Sequence, residues 1–249
     1  MPLIQRLSLD LVMTALILLE FAYRLTGSTT HELIGVSMLT LLVIHGAWNW
    51  RWFAALGKGR YAGAPLRIVS TTINALLLTA AWLMVASGVL NSELLFALTQ
   101  VELDLLPRGL HTAAAYGFLM LIGVHLGMHW KMIMAETGKL AGGSAVFLPP
   151  RLRSASLPVA AVAIAAYGVV ASFERSVLSR LTAYYSFGDW EFDESIVGFF
   201  AQYVAIVGLY AVLTHYGLRI FRQQSRSTRA ATARATRPVA RCCWCRSRC

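Results

Sequence analysis

The stretch "HELIGVSMLTLLVIHGAWNW", residues 31–50, decides the fold. It is long and apolar enough to cross a bilayer as one helix, which takes about 20 residues. Yet a histidine stands at each end of its apolar run, His31 and His45. Ionisable side chains are rare inside membrane helices and mark functional positions. The same layout returns in "HTAAAYGFLMLIGVHLGMHW", residues 111–130. Both stretches carry His at the first and fifteenth positions, and both end in a polar residue followed by Trp. Fourteen helical residues rise about 21 Å and turn about 1400°, about 40° short of four full turns. His31 and His45 therefore share one helix face near opposite membrane surfaces, and so do His111 and His125.

The rest of the chain supplies the setting for these two helices. Residues of the hydrophobic types make up 57% of the sequence and charged residues only 14%, a membrane composition. Apolar stretches predict six transmembrane helices at about 8–26, 31–50, 68–90, 111–133, 156–175 and 195–220. The fold class expected is therefore an all-α membrane protein. A four-helix core over 1–135 is followed by two further spans over 136–221 and a basic tail over 222–249. The net charge of +10 owes eight charges to arginines in that tail, which leaves +2 for the first 221 residues. A nucleic-acid partner is thus a poor reading of the charge, and anionic lipid or the cytoplasm a better one. All four cysteines lie in "RCCWCRSRC" at the end of the tail, so no disulfide framework supports the membrane body. A metal cluster there would match no standard spacing, and a disordered extension is the simpler expectation. The first apolar stretch lacks a small-residue cleavage site and reads as a retained anchor helix.

Lysine and arginine placement predicts that both termini are inside. Arg51, Lys58, Arg60 and Arg67 fill one loop, and Lys131, Lys139, Arg151 and Arg153 another. The opposite side holds Glu93, Glu102, Asp104, Glu174, Asp189, Glu191, Asp193 and Glu194 against Arg108, Arg175 and Arg180. Trp48, Trp50, Trp52 and Trp130 cluster at the inner interface, as an aromatic belt would. The segment 181–195 mixes aromatics with acids and is expected to lie along the outer surface.

With this topology the second and fourth spans run in the same direction. His31 then opposes His111 on the outer side, and His45 opposes His125 on the inner side. Two facing imidazoles can supply both axial ligands of a haem iron. Room for a porphyrin is expected from small residues near the ligands: Gly35, Gly46, Ala47, Ala115, Gly117, Gly123 and Gly127. Close helix packing is the competing use of those glycines. His129, one turn beyond His125, rivals it as the inner ligand. The spacing selects His125 and leaves His129 to a propionate, a quinone or the interface. Arg51, Arg67 and Lys131 are the inner candidates for propionate contacts, Arg24 and Arg108 the outer ones. Glu32 is expected at the outer haem edge or as a helix-start acid. Glu20 and Arg24, four apart, are expected to pair or, for Glu20, to serve protons. His215 is expected at the inner interface or against a quinone. Zinc and di-iron sites lack the accompanying Glu-x-x-His carboxylates.

"HELIGVSMLTLLVIHGAWNWRWF", "HTAAAYGFLMLIGVHLGMHWKM" and "SGVLNSE" at the end of the third span resemble the flavinylation-associated membrane cytochrome family, long catalogued as a domain of unknown function. The resemblance covers about residues 1–135. In wider architecture the chain is similar to the di-haem cytochrome b subunits of formate dehydrogenases and nickel–iron hydrogenases. The resemblance implies two haem b groups with His31, His45, His111 and His125 as iron ligands. It also implies electron transfer between the quinone pool and a redox partner protein, extracytoplasmic and in many cases a flavoprotein. The expected location is the inner membrane of a bacterium. A non-redox transporter or channel is the alternative. It would call for inverted repeats and broken helices, whereas the echo here is between parallel spans. No Gly-rich nucleotide fingerprint occurs, so an electron-transfer subunit is expected rather than a self-contained enzyme.

Overall fold

The computed structural model describes residues 3–59, 65–92, 105–140, 150–183 and 195–235. Every element among them is helical. In chain order these are α1 (Leu3–Phe21), α2 (Tyr23–Thr26), α3 (Ser28–Trp48), α4 (Trp50–Gly57), α5 (Pro65–Asn91), α6 (Leu105–Leu140), α7 (Pro150–Glu174), α8 (Val177–Leu181) and α9 (Ile196–Ala235). Five of them, α3, α5, α6, α7 and α9, are long and apolar enough to cross a membrane. α1 is the sixth expected span. It forms a 19-residue helix, but Arg6, Asp10 and Glu20 make it more charged than the other five. Those charges have partners inside the bundle, described below.

α1 and α3 pack antiparallel, as do α5 and α6. α3 leans on α1, while α6 leans on α5 and α9, so the two histidine helices are not packed backbone against backbone. What joins the four helices is a small apolar cluster of Ile17, Met38, Ala81 and Phe118, flanked by Ile34, Leu42, Leu77, Met84 and Ile122. Met38 lies seven residues from His31 and from His45, and Phe118 seven from His111 and from His125. The plug therefore sits midway between two histidine levels.

α9 runs parallel to α6 and antiparallel to α7, and small residues set how closely it approaches. A Cβ on Gly123 would fall 2.6 Å from the Val207 carbonyl oxygen, and one on Gly127 would strike the Ala211 carbonyl oxygen. Gly168 of α7 abuts the Ala205 carbonyl in the same way. Backbones that approach this closely are the usual glue of membrane helices. A second core of Tyr116, Leu119, Ala171, Val177, Phe199, Tyr203, Ile206 and Val207 fills the space between α6, α7, α8 and α9. The Tyr116 and Tyr203 hydroxyls are 2.8 Å apart. Arg175, only 4% exposed, lies over the Phe199 ring and donates from Nε to Gln202 Oε1.

Three expectations about boundaries change. The expected division at residue 135 falls inside α6, which continues to Leu140. The tail expected to be disordered from 222 begins as helix, because α9 continues through Ala235. Residues 236–249, with all four cysteines, lie outside the described residues, and so does most of the expected interfacial segment 181–195. The second span ends at Trp48, where Asn49 breaks the helix. The next helix, α4, exposes Trp50, Phe53 and Leu56 along one side, the spacing of an amphipathic helix lying on a membrane interface.

Candidate functional site

The histidines form two levels, one toward the end of the bundle where α1 begins (proximal) and one toward the other end (distal). At the distal level the His31 and His111 rings face each other across the α3–α6 gap, with centroids 6.1 Å apart and planes at 72°. In each ring the same nitrogen faces an oxygen. His31 Nδ1 is 2.5 Å from Glu20 Oε2 on α1. His111 Nδ1 is 3.0 Å from the Met84 carbonyl oxygen and 3.2 Å from Ser87 Oγ, both on α5. The Ser87 hydroxyl itself donates to the Leu83 carbonyl at 2.6 Å. Because a carbonyl can only accept, the His111 proton is on Nδ1. Gly88 keeps the ring's place clear, since a Cβ there would fall 3.3 Å from His111 Cε1.

The proximal level repeats the scheme. His45 Nδ1 is 2.9 Å from Asp10 Oδ1 on α1, and His125 Nδ1 is 3.1 Å from Asn74 Oδ1 on α5. His45, Asp10 and His129 all lie within electrostatic reach of His125. Thus α1 serves the histidines of α3 with carboxylates, and α5 serves those of α6 with neutral oxygens. In all four residues Nδ1 is engaged and Nε2 makes no hydrogen bond among the described residues. His129 differs. Its ring lies tilted against His125 with centroids 4.7 Å apart, and no acceptor among the described residues holds either nitrogen. Among the described residues, His125 has an oxygen at Nδ1 as His31, His45 and His111 do, and His129 does not.

The remaining sequence candidates are distributed as follows. Gly35 looks toward Glu20, whose Oε1 would be 3.7 Å from an added Cβ. Gly46 has open space beside it. Gly117 faces Leu181 of α8, and Gly123 and Gly127 face α9. These last three are turned to helix packing rather than to the histidines. Arg51, Arg67 and Lys131 are exposed at the proximal end, and Arg108 at the distal end. Glu20 lies on His31 and not on Arg24. The reason is a break at Ala22 that ends α1 and puts Arg24 on the separate α2, so the four-residue helical spacing no longer applies. Glu32 accepts from Ser92 Oγ at 2.7 Å, which ties the start of α3 to the end of α5. His215 packs near Trp130, with centroids 6.5 Å apart.

Asp10 and Asn74 were not singled out from sequence, and Ser87 and Gly88 only as the start of "SGVLNSE", although they orient or admit the histidines. An acid inside an apolar span was a usable signal for Asp10. By residue type alone the serine and glycine carried none, because both are ordinary in membrane helices. Among the described residues no group of three or more His, Cys, Asp or Glu converges as a bare ion would require. Each level instead offers two imidazoles, each backed by one oxygen acceptor. No family model, no curated protein and no solved structure matches the chain. The chain is a multi-pass, all-helical membrane protein with two levels of oriented histidine pairs.

Proposed function

We propose that this chain is a membrane cytochrome that holds two b-type haems, one per histidine level, and passes electrons between a quinone and a redox partner protein. The observation that carries the reading is the shared orientation of His31, His45, His111 and His125. Metal-bound histidines donate the other ring nitrogen to a carboxylate, carbonyl or similar acceptor, which fixes the ring and raises its basicity. Here an oxygen lies within 2.5–3.1 Å of Nδ1 in all four, as hydrogen-bond partners of His111 and His125 and as carboxylates beside His31 and His45, which leaves Nε2 for a ligand. The distal pair also fits in scale. With bonds of about 2 Å to the metal and a ring radius of about 1.2 Å, two axial imidazoles on one metal have centroids about 6.4 Å apart. The distal rings are separated by 6.1 Å. α3 and α6, which are not packed against each other, would flank the porphyrins.

His31 with His111, and His45 with His125, would be the axial ligands. When bound, such a haem supplies reversible one-electron transfer, and with both axial positions filled by histidine it offers no open site to oxygen or substrate. The chain's own part is to hold the rings, exclude water and bias the charge. Glu20 and Asp10 place negative charge behind one histidine of each pair. The plug of Ile17, Met38, Ala81 and Phe118 keeps the space between the levels apolar. The distribution of lysine and arginine supports cytoplasmic termini, which puts His31 and His111 near the outer surface and His45 and His125 near the inner one. A bacterial inner membrane, quinone as the lipid-soluble partner and an extracytoplasmic flavin-bearing protein complete the proposal.

The test is a reduced-minus-oxidised spectrum with haem quantified per chain. Two b-type haems are expected. His31→Ala or His111→Ala should remove one of them, and His45→Ala or His125→Ala the other, while His129→Ala leaves both ligand pairs in place. A colourless protein purified from haem-supplied cells refutes the reading.

A further inference from the structure

At the proximal level, each of the four core helices carries a second polar residue one turn nearer the membrane surface. Arg6 precedes Asp10 by four residues on α1, and Asn49, which caps the end of α3, follows His45 by four. Thr71 precedes Asn74 by three on α5, and His129 follows His125 by four on α6. Three or four residues of helix rise about 4.5–6 Å and return to nearly the same face. Because the helices alternate in direction, all four steps lead toward the same end. The result is a tier of Arg6, Asn49, Thr71 and His129 stacked on the tier of Asp10, His45, Asn74 and His125. The Arg6–Asn49 contact ties α1 to the end of α3 within this tier, and the His125–His129 ring contact joins the two tiers on α6.

This tier holds unspent hydrogen-bonding capacity. Arg6 Nη1 reaches Asn49 Oδ1 at 3.5 Å, while Arg6 Nε is buried without an acceptor. Thr71 Oγ1 is likewise buried without a partner, although a helical threonine ordinarily bonds to the carbonyl four residues back. Among the described residues His129 makes ring contact but no hydrogen bond. Asn49 Nδ2 is committed to the His45 carbonyl at 2.9 Å, so its oxygen is what it offers to Arg6. Buried polar groups are rarely left without partners. A fixed guanidinium N–H, a hydroxyl and an imidazole on three helices together match a carboxylate.

We propose that Arg6, Thr71 and His129, with Asn49 orienting Arg6, form a carboxylate-binding cup for the propionates of the proximal haem. This inference rests on the di-haem reading. It moves the propionate contact from the exposed Arg51, Arg67 and Lys131 to a cation on the first helix. A cation at the propionates favours the reduced haem, which carries one positive charge fewer than the oxidised form.

The experiment uses the full-length protein in detergent, with Arg6→Gln, Arg6→Lys and Thr71→Val. Redox titration should show the proximal midpoint potential falling in Arg6→Gln, largely kept in Arg6→Lys, and the distal one unchanged throughout. Loss of one charge-assisted hydrogen bond should weaken proximal haem retention about 10- to 100-fold. Thr71→Val changes no charge and no topology signal, so it keeps the test open if Arg6→Gln disturbs insertion; it should weaken retention in the same direction by less. Haem-depleted protein rebuilt with iron protoporphyrin IX or with its dimethyl ester gives a second readout. The wild type should prefer the free acid at the proximal level, and Arg6→Gln should lose that preference. Two haems with unchanged potentials, retention and ester preference in Arg6→Gln and Thr71→Val overturn the cup alone. No haem in the wild type overturns the di-haem reading and the cup with it.

Discussion

Replacing Glu20 by Gln isolates what the carboxylate behind His31 does. Glutamine keeps the length of the side chain and an oxygen that can accept from Nδ1–H, and it removes one negative charge. The charge lies 2.5 Å from His31 Nδ1. Adding about 2 Å across the ring and about 2 Å for the metal bond puts it about 6.5 Å from an iron on Nε2. At an effective dielectric of about 20, a unit charge at that distance is worth about 2.5 kcal/mol. For a one-electron couple, with about 59 mV to each tenfold change, that corresponds to about 110 mV. A carboxylate stabilises the oxidised iron, so its removal raises the potential. The Glu20 side chain is 12% exposed, whereas that of Asp10 behind His45 is 45% exposed. Solvent screens the second far more, and Asp10→Asn should raise the proximal potential by less than half as much. Spectroelectrochemical titration of the two haems measures both. The expected outcome is an upward shift of about 50–110 mV confined to the distal haem in Glu20→Gln. A potential unchanged within about 20 mV, a downward shift, or equal shifts in both haems would refute the assignment of Glu20 to a ligand-bearing His31.

Two further outcomes concern the fold itself. Gly123→Leu or Gly168→Leu must push α9 off its neighbours, because even a Cβ would crowd the carbonyls of Val207 or Ala205. Overpacking of this kind costs about 1–3 kcal/mol or more, seen as a lower thermal transition in detergent, while Gly46→Ala, with open space beside it, should leave the transition in place. The Tyr116–Tyr203 hydroxyl contact at 2.8 Å should appear in a double-mutant cycle with Phe as a coupling of about 0.5–1.5 kcal/mol; additive single effects would mean the two hydroxyls act separately.

The helices were legible in the sequence because crossing a membrane demands long apolar runs, and little else satisfies that demand. The matched spacing of His31–His45 and His111–His125 was legible for the same reason. Once a segment must be helical, fourteen residues have one geometric meaning. α1 was less plain. Its charges make it a poor span by composition, and only packing against α3 reveals that Asp10 and Glu20 are matched to His45 and His31. The glycines misled in part. Gly117, Gly123 and Gly127 lie on α6 as the histidines do, yet they serve α8 and α9, and composition carries no label for the face a glycine occupies.

By itself, then, the sequence determined that the chain is helical, that it spans a membrane several times, and that two spans carry histidines at two matched levels. Those properties follow from hydrophobicity and helical periodicity, which are local. Tertiary structure alone decided which histidine of α6 at the proximal end has an oxygen at Nδ1 as the other three do, which oxygen stands behind each ring, and that α1 supplies carboxylates while α5 supplies neutral acceptors. Those properties depend on which faces of four helices meet. That choice is made by the packing of Ile17, Met38, Ala81 and Phe118, side chains far apart in the chain and joined only in the folded bundle.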